Sequence, residues 1–330
     1  MVSLERLIEQ IQKSQRIVLT THRQCDGDGL GAELALYFGL RKKGHDVRVV
    51  HVDEVPRKYR FLNPEQYVQI FEEKSTPDFQ PDLILVFDTN DSRLIEPFYS
   101  YWKARQVPFA FIDHHPILKK GPRPSEDSFI DTSAASTGEI AYRLLQALKI
   151  PLDREIARCL YTSITFDTQL YRFIRNSPNS HLIAAELLGF EIQPEEIHRF
   201  LFAQQTVSKM AFLAKALGQI EYHCEGRLAV LRLKDSDLFH YNLDPDESRD
   251  VIDMLMNIET LEAAALFRED APGTFKISLR SKGKIEVLPL AEMLGGGGHK
   301  YASGASTKGT YAELKDTVVK ELRSQLDMLL

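Results

Sequence analysis

His22, Asp26 and Asp28 share one short segment, His22-Arg23-Gln24-Cys25-Asp26-Gly27-Asp28. Asp88 follows the apolar run Leu83-Ile84-Leu85-Val86-Phe87, and Asp113-His114-His115 follows another that ends at Ile112. Imidazole together with several carboxylates is a mixed borderline-to-hard donor set. It suits Mn²⁺, with Mg²⁺ and Zn²⁺ less favoured. Two divalent ions roughly 3.5–4 Å apart clamp the attacking and leaving oxygens of a phosphoryl displacement. Such a pair needs one shared carboxylate with a half-shell of ligands on either side. Gly27 and Gly29 are expected to bend the loop sharply, so that Asp26 and Asp28 face different ions. Each element alone has an ordinary explanation, since Asp-Gly-Asp-Gly is turn chemistry and many strands end in Asp. Their joint placement is what points to metal.

These residues must be brought together by the elements that precede them. Leu4, Leu7, Ile8 and Ile11 have helical spacing behind Ser3 as N-cap. Arg16–Thr21 reads as a buried strand, followed by a loop carrying the acidic run and a helix over 30–43 that stops at Gly44. Further strands are expected at Val47–Val52, Leu83–Phe87 and Pro108–Ile112, with helical patterns around 57–62 and 91–105. Short apolar strands alternating with helices predict a mostly parallel sheet covered on both faces. In such sheets ligands bind beyond the carboxyl ends of the strands, which is where the candidate ligands fall. Residues 136–220 read as nearly all helical, with breaks near Asn176-Ser177-Pro178 and Gln193-Pro194. A second sheet is expected from Arg227–Leu233, Leu261–Arg268 and Thr274–Arg280, with helices at about 247–258 and 310–329. The fold class is therefore α/β, in two domains, each a mostly parallel or mixed sheet flanked by helices, with the active-site cleft between them. The boundaries read as a catalytic, metal-binding domain over 1–190, a helical linker over 191–220 and a substrate-binding domain over 221–330.

A chain of 330 residues exceeds what one core usually serves. Its 43% hydrophobic and 27% charged residues are those of an ordinary globular protein. No apolar run is long enough for a membrane span and the N-terminal segment lacks a signal-peptide core, so the expected location is the cytoplasm. The net charge of −6 argues against gripping a long duplex, so an anionic ligand must be drawn in locally. Three scattered cysteines, Cys25, Cys159 and Cys224, form no CxxC pair and fit a reducing compartment.

Taken in order, HxxxDGDGLG at 22–31, FD at 87–88 and IDHHP at 112–116 resemble the successive motifs of the DHH phosphoesterase family. Leu160–Thr168, with Asp167, is similar to its fourth motif. Ser278–Ser281 and the run Gly295-Gly296-Gly297-Gly298-His299-Lys300-Tyr301-Ala302-Ser303-Gly304 resemble its DHH-associated C-terminal domain. Length and layout are most similar to the nanoRNase/pAp-phosphatase subgroup, which acts on very short oligonucleotides and on 3′-phosphoadenosine 5′-phosphate. The resemblance implies one ion on His22, Asp26 and Asp88, and a second on Asp28, Asp88, His114 and Asp167, with Asp88 bridging. It implies that Asp113 orients the neighbouring imidazoles, and that His115 meets the scissile phosphate or protonates the leaving oxygen. Cys25 stands where a proline is usual, Ala32 where a serine is common, and Ser163 and Gln169 where glycines often flank the fourth motif. The last two are expected to narrow the site.

With that pattern behind it, the glycine run is expected to form a backbone nest for an anion, with Gly296, Gly297, Gly298, His299 and Ser303 as candidate contacts. Arg280 is a candidate fork for a terminal phosphate. Cys25 reads as a small buried residue. His51, His181, His198, His223 and His240 read as structural or surface residues, and Tyr171-Arg172-Phe173 as a helix end packed on the core. The expectation is a Mn²⁺-dependent enzyme that hydrolyses short RNA to mononucleotides, and 3′-phosphoadenosine 5′-phosphate besides, with a homodimer as the assembly to test. Rival readings are a RecJ-like single-strand exonuclease, a cyclic-dinucleotide phosphodiesterase, and an inactive nucleotide sensor. A lost ligand would mark the last, and none is lost.

Overall fold

The computed structural model describes residues 3–73, 79–118, 121–175, 177–243 and 248–328. The chain divides into two compact units between Gln204 and Gln205. The first unit contains α1 (Leu4–Lys13), β1 (Arg16–Thr21), α2 (Gly27–Lys42), β2 (Asp46–His51), β3 (Val68–Ile70) and β4 (Leu83–Phe87). It continues with α3 (Phe98–Lys103), β5 (Phe109–Asp113), β6 (Phe129–Ile130), α4 (Thr137–Ala147), α5 (Arg154–Asp167), α6 (Asn179–Leu188) and α7 (Pro194–Phe202).

Its six strands pair in the order β3-β2-β1-β4-β5-β6, parallel throughout. Side chains alternate across the strands, so each face has its own core. Ile17 and Leu19, Leu83, Leu85 and Phe87, and Ala110 and Ile112 join the helices α1, α2, α4 and α5. Val18, Ile84, Val86, Phe109 and Phe111 turn the other way, onto Phe98 and Trp102 of α3. Burial on both faces explains why these strands read as unbroken apolar runs. The strand order reverses between β1 and β4, and in open α/β sheets that switch point opens a crevice at the carboxyl ends. His22 and Asp88 flank it.

The second unit contains α8 (Val207–Leu217), β7 (Glu221–His223), β8 (Leu228–Lys234), α9 (Asp235–His240), α10 (Arg249–Leu255), β9 (Ala263–Ala271) and β10 (Thr274–Ser281). It ends with α11 (Leu288–Met293), β11 (Gly297–His299), β12 (Ala302–Lys308) and α12 (Tyr311–Asp327). The sheet order is β11-β12-β10-β9-β8-β7, mixed, with only β8 and β9 parallel. Phe275, Ile277 and Leu279 pack on α11 and α12, while Ala264, Leu266, Ala229 and Leu231 face α8 and α10. Among the described residues no helix is long and apolar enough to cross a membrane.

Several expectations change. The acidic run does not lie in a loop: α2 begins at Gly27, three residues before the expected start, and Asp28 and Gly29 are in its first turn. Two glycines lower helix propensity enough to hide that start. Residues 57–62 form a 3-10 helix, and the pattern at 91–105 splits into a 3-10 turn at Ser92–Ile95 and α3. The edge strands β3, β6 and β7 were not expected, nor were β11 and β12, whose residues are too small and polar to show a strand pattern. The expected break at Asn176 and the helix start at 247 lie outside the described residues.

Candidate metal centre

His22 follows β1 with Nδ1 placed 2.8 Å from the Arg23 carbonyl. Donation there leaves the Nε2 lone pair facing the acidic groups. Nε2 lies 3.5 Å from Asp88 Oδ2 and 4.0 Å from Asp26 Oδ2. Asp26 is the N-cap of α2; its Oδ1 accepts from the N–H groups of Asp28 (3.0 Å) and Gly29 (3.4 Å), which turns Oδ2 toward His22.

Asp88 stands just beyond β4 with φ of 60°, a left-handed conformation that costs a non-glycine residue free energy and concentrates at functional sites. Its second oxygen, Oδ1, points away from His22. It lies 3.6 Å from His114 Nε2 and accepts a 3.0 Å hydrogen bond from the Thr137 hydroxyl. One carboxylate therefore shows one oxygen to His22 and the other to His114.

His114 is fully buried, and its Nε2 also lies 3.5 Å from Asp28 Oδ2 and 3.5 Å from Asp167 Oδ2. Asp167 is the last residue of α5, so the helix end delivers it. Asp28 accepts the N–H of Thr137 on Oδ2 (2.8 Å) and that of Gly138 on Oδ1 (3.1 Å), both from the first turn of α4. Asp113, the last residue of β5, accepts on Oδ1 from the N–H groups of His114 (2.8 Å) and His115 (3.1 Å). The same oxygen lies 2.8 Å from His115 Nδ1. Asn90 donates to Asp113 Oδ2 at 2.6 Å and to the His115 carbonyl at 3.0 Å. The His-Asp groups thus gather in three overlapping sets, His22-Asp26-Asp88, Asp28-His114-Asp167 and Asp88-Asp113-His114-His115. Within each, ligand atoms lie no more than 4.8 Å apart, close enough to hold a metal ion.

Close backbone approach, and not loop flexibility, explains the glycines. A Cβ on Gly29 would stand 2.2 Å from Thr21 Oγ1 and 3.2 Å from Asp88 Cβ, and one on Gly27 would meet the Phe166 ring at 2.8 Å. α2 therefore seats its first turn directly on β1 and α5.

The electrostatics of the metal-free cluster are unfavourable. Burial raises the Asp28 carboxyl to about 6, against the opposing hydrogen bond from Ser163. Burial, then the charges of Asp28, Asp26, Asp113 and Asp167, pushes Asp88 well above the carboxylate range. Asp167 rises for the same leading reason, burial followed by Asp28. His115 moves to about 9: burial opposes its charge, but the charge and hydrogen bond of Asp113, with the charges of Asp167 and Asp28, together outweigh that penalty. Five carboxylates, Asp26, Asp28, Asp88, Asp113 and Asp167, crowded at one site need compensating positive charge. The donor set therefore fits a pair of divalent ions.

In the second unit Arg280 lies near the end of β10. Its Nε donates to Asp253 Oδ1 at 3.0 Å and its Nη1 to the Leu279 carbonyl at 3.2 Å. The glycine run is not the loop nest expected of it. Gly295 leaves α11 with φ of 84°, and Gly297, Gly298 and His299 form β11, paired with Gly304, Ser303 and Ala302 of β12. A Cβ on Gly296 would lie 2.0 Å from the Gly304 carbonyl oxygen, so the glycines admit a neighbouring strand. The Ser303 hydroxyl donates to the His299 carbonyl at 2.5 Å.

Thr137 and Asn90 were not singled out from the sequence, and Ser163 was marked there only as standing where a glycine often flanks the fourth motif. Only Ser136-Thr137-Gly138-Glu139, an S-x-x-E capping pattern, carried a local signal; Ser136 does cap α4. Cys25 is buried beneath the site, and burial raises its thiol. Tyr171 packs on the core while Phe173 is exposed; the segment beyond α5 turns through left-handed Gln169, Leu170 and Tyr171.

Residues 16–164 match the model of the DHH family, N-terminal domain, and residues 225–328 that of the DHHA1 domain. The chain is 28% identical over 325 residues to a bifunctional oligoribonuclease and PAP phosphatase NrnA of Thermus thermophilus, covering 96% of this chain and 94% of that protein. The protein of the same name from Bacillus subtilis is 26% identical over 309 residues, with 91% and 92% covered. A crystal structure of an exopolyphosphatase-related protein from Bacteroides fragilis shares the fold, with a TM-score of 0.85 at 23% identity over 99% of this chain and 97% of that one. With both models matched in this order, over a fold whose acids and histidines meet at the ends of β1, β4, β5 and α5, the chain carries a DHH family N-terminal domain followed by a DHHA1 domain.

Proposed function

We propose that this protein is a cytoplasmic two-metal phosphoesterase that hydrolyses short RNA oligonucleotides to mononucleotides, and also removes a phosphate from 3′-phosphoadenosine 5′-phosphate. The observation that carries the reading is Asp88, whose two oxygens face His22 and His114 separately. That is the geometry of a bridging carboxylate. His22, Asp26 and Asp88 would hold one ion, and Asp28, Asp88, His114 and Asp167 the other. Mn²⁺ is the favoured ion for this mixed nitrogen and oxygen set, with Mg²⁺ second. Bound there, the ions would supply an activated water and positive charge against the phosphoryl oxygens.

The chain's own residues do the rest. Asp113 holds His115 through Nδ1, so the ring presents Nε2 with its side chain about one-third exposed (32%). A ring that keeps its proton to about 9 in the metal-free protein is charged at neutral pH. It is suited to meet the scissile phosphate and to protonate the leaving oxygen. Asn90 ties Asp113 and the His115 carbonyl together and so fixes that orientation. We assign substrate placement to the second unit. Arg280, oriented through Nε and Nη1, would offer Nη2 to a terminal phosphate. His299, with Gly296–Gly298 and Ser303 shaping its strand, would add a donor. The names of the Thermus and Bacillus relatives, matched over nearly the whole chain, support both activities.

A net charge of −6 implies few phosphate contacts. With two or three of them, the log–log salt slope should be about −2 or weaker, at roughly 0.7 per phosphate of a single strand. The test compares kcat/KM for RNAs of two to ten nucleotides and a twenty-nucleotide strand, at two salt concentrations with Mn²⁺. Two- to four-nucleotide substrates should be cleaved fastest per end. Processive degradation of the long strand with a steep salt slope would overturn this reading in favour of a RecJ-like exonuclease.

A further inference from the structure

Ser163 lies where α2, α4 and α5 meet, fully buried. The seam is made by glycines. A Cβ on Gly31 of α2 would come within 2.8 Å of Ser163 Cβ, and one on Gly138 of α4 within 2.2 Å of Ser163 Oγ. Room is left there for one small side chain, and its hydroxyl donates a hydrogen bond to Asp28 Oδ1. Gly138 N–H reaches the same oxygen at 3.1 Å, while Oδ2 takes the Thr137 N–H at 2.8 Å and faces His114 Nε2 at 3.5 Å. Donors on both oxygens leave the buried carboxylate no freedom to rotate about its Cβ–Cγ bond. Ser163 also stands one helical turn before Asp167 on α5. Its hydroxyl therefore ties a carboxylate of α2 to the helix that carries another carboxylate facing His114.

From this geometry we infer that Ser163 is a positioning residue. Its hydroxyl holds Asp28 so that Oδ2, together with His114 and Asp167, forms the pocket for the second ion. The inference rests on the two-metal reading above. Ser163 touches neither substrate nor ion; it acts through Asp28. A donor on Oδ1 fixes the orientation of the ligand oxygen, and such supporting contacts are typically worth ten- to a hundredfold in metal affinity.

The test is calorimetric titration of Mn²⁺ alone into metal-free protein, unmodified and as Ser163→Ala, which keeps Cβ in the seam and removes only the hydroxyl. Two ions should bind the unmodified protein. In Ser163→Ala one of them should bind about ten- to a hundredfold more weakly, with the other unchanged. Dinucleotide turnover should fall at limiting Mn²⁺ and recover as Mn²⁺ is raised, with KM unaffected. Ser163→Gly, which removes the hydroxyl and Cβ together, should show the same selective loss of one ion. A residue that only fills the seam would lower thermal stability and leave both Mn²⁺ affinities as they were. That result, or tighter binding in the variant, overturns the inference while the two-metal reading stands. Failure of the unmodified protein to bind two Mn²⁺ overturns the reading, and the inference with it.

Discussion

Replacing Gly29 by alanine adds a single methyl group, yet the structure assigns it a large effect. The new Cβ would lie 2.2 Å from Thr21 Oγ1 and 3.2 Å from both Thr21 Cβ and Asp88 Cβ. Non-bonded heavy atoms settle near 3.5 Å, so the hydroxyl contact falls short by about 1.3 Å. Thr21 cannot simply rotate away, because Oγ1 donates to the Phe87 carbonyl at 2.9 Å, and leaving it forfeits about 1 kcal/mol. The alternative is for the first turn of α2 to lift from β1 by about 1 Å, carrying Asp26 and Asp28 with it. Overpacking of this kind costs about 1–3 kcal/mol of stability, and a misplacement of about 1 Å at a reacting centre costs roughly a hundredfold in rate. Gly29→Ala should therefore remain folded while kcat/KM on a dinucleotide falls by about two orders of magnitude. Thr21→Ala in the same chain removes the closest atom and should restore about tenfold of the loss, a coupling expected of residues in contact. The assay is steady-state kinetics at saturating Mn²⁺, with thermal denaturation alongside. Activity of the single variant within about twofold of the parent, or a double variant no better than the single, would refute the close-approach argument.

Other outcomes follow from the same contacts. Asp28, Asp88 and Asp167 hold protons more tightly in the folded than in the unfolded chain. Metal-free protein should therefore lose stability as pH rises from the ordinary Asp value of 3.8 through about 6, the folded value of Asp28. Asp28→Asn should flatten that decline, and equal slopes for the two proteins would contradict the assignment. Mn²⁺ competes with those protons, so its stabilisation, read as the rise in Tm, should grow across the same interval. Arg280→Ala should raise KM with Mn²⁺ binding unchanged, and Asp253→Ala, which removes the partner of Nε, should do the same more weakly. Loss of Mn²⁺ in either would end the division of labour between the units. Gly296→Ala sets a Cβ 2.0 Å from the Gly304 carbonyl oxygen. It should lower stability through the hairpin of β11 and β12 by about 1–3 kcal/mol, read as a fall in Tm, and an unchanged Tm would exclude that pairing.

The strand ends were legible because the sheet is buried on both faces. Asp88 follows Leu83–Phe87, an apolar run of one strand's length, and Asp113 closes another that ends at Ile112. Ser3 could be read as an N-cap for the same local reason, and its side chain does accept from Arg6 N–H. Gly27-Asp28-Gly29 misled because glycine is a poor helix former, so its local preference pointed to a loop. In the fold, glycine is present because Thr21, Asp88 and Phe166 leave no room for a side chain. The glycine run at 295–298 misled in the same way, since β12 decides its conformation.

By itself the sequence determined which residue types are available for metal chemistry, the order of strands and helices that carries them, and the family motifs they compose. These depend on periodicity and on neighbours in the chain. Tertiary structure alone decided that the two oxygens of Asp88 face different histidines, and that Asp28 is held by Thr137, Gly138 and Ser163. Those partners lie 109 to 135 residues from Asp28. A threonine or serine at such a distance has no local signature; its role arises when helix packing closes around a buried charge that must be hydrogen-bonded.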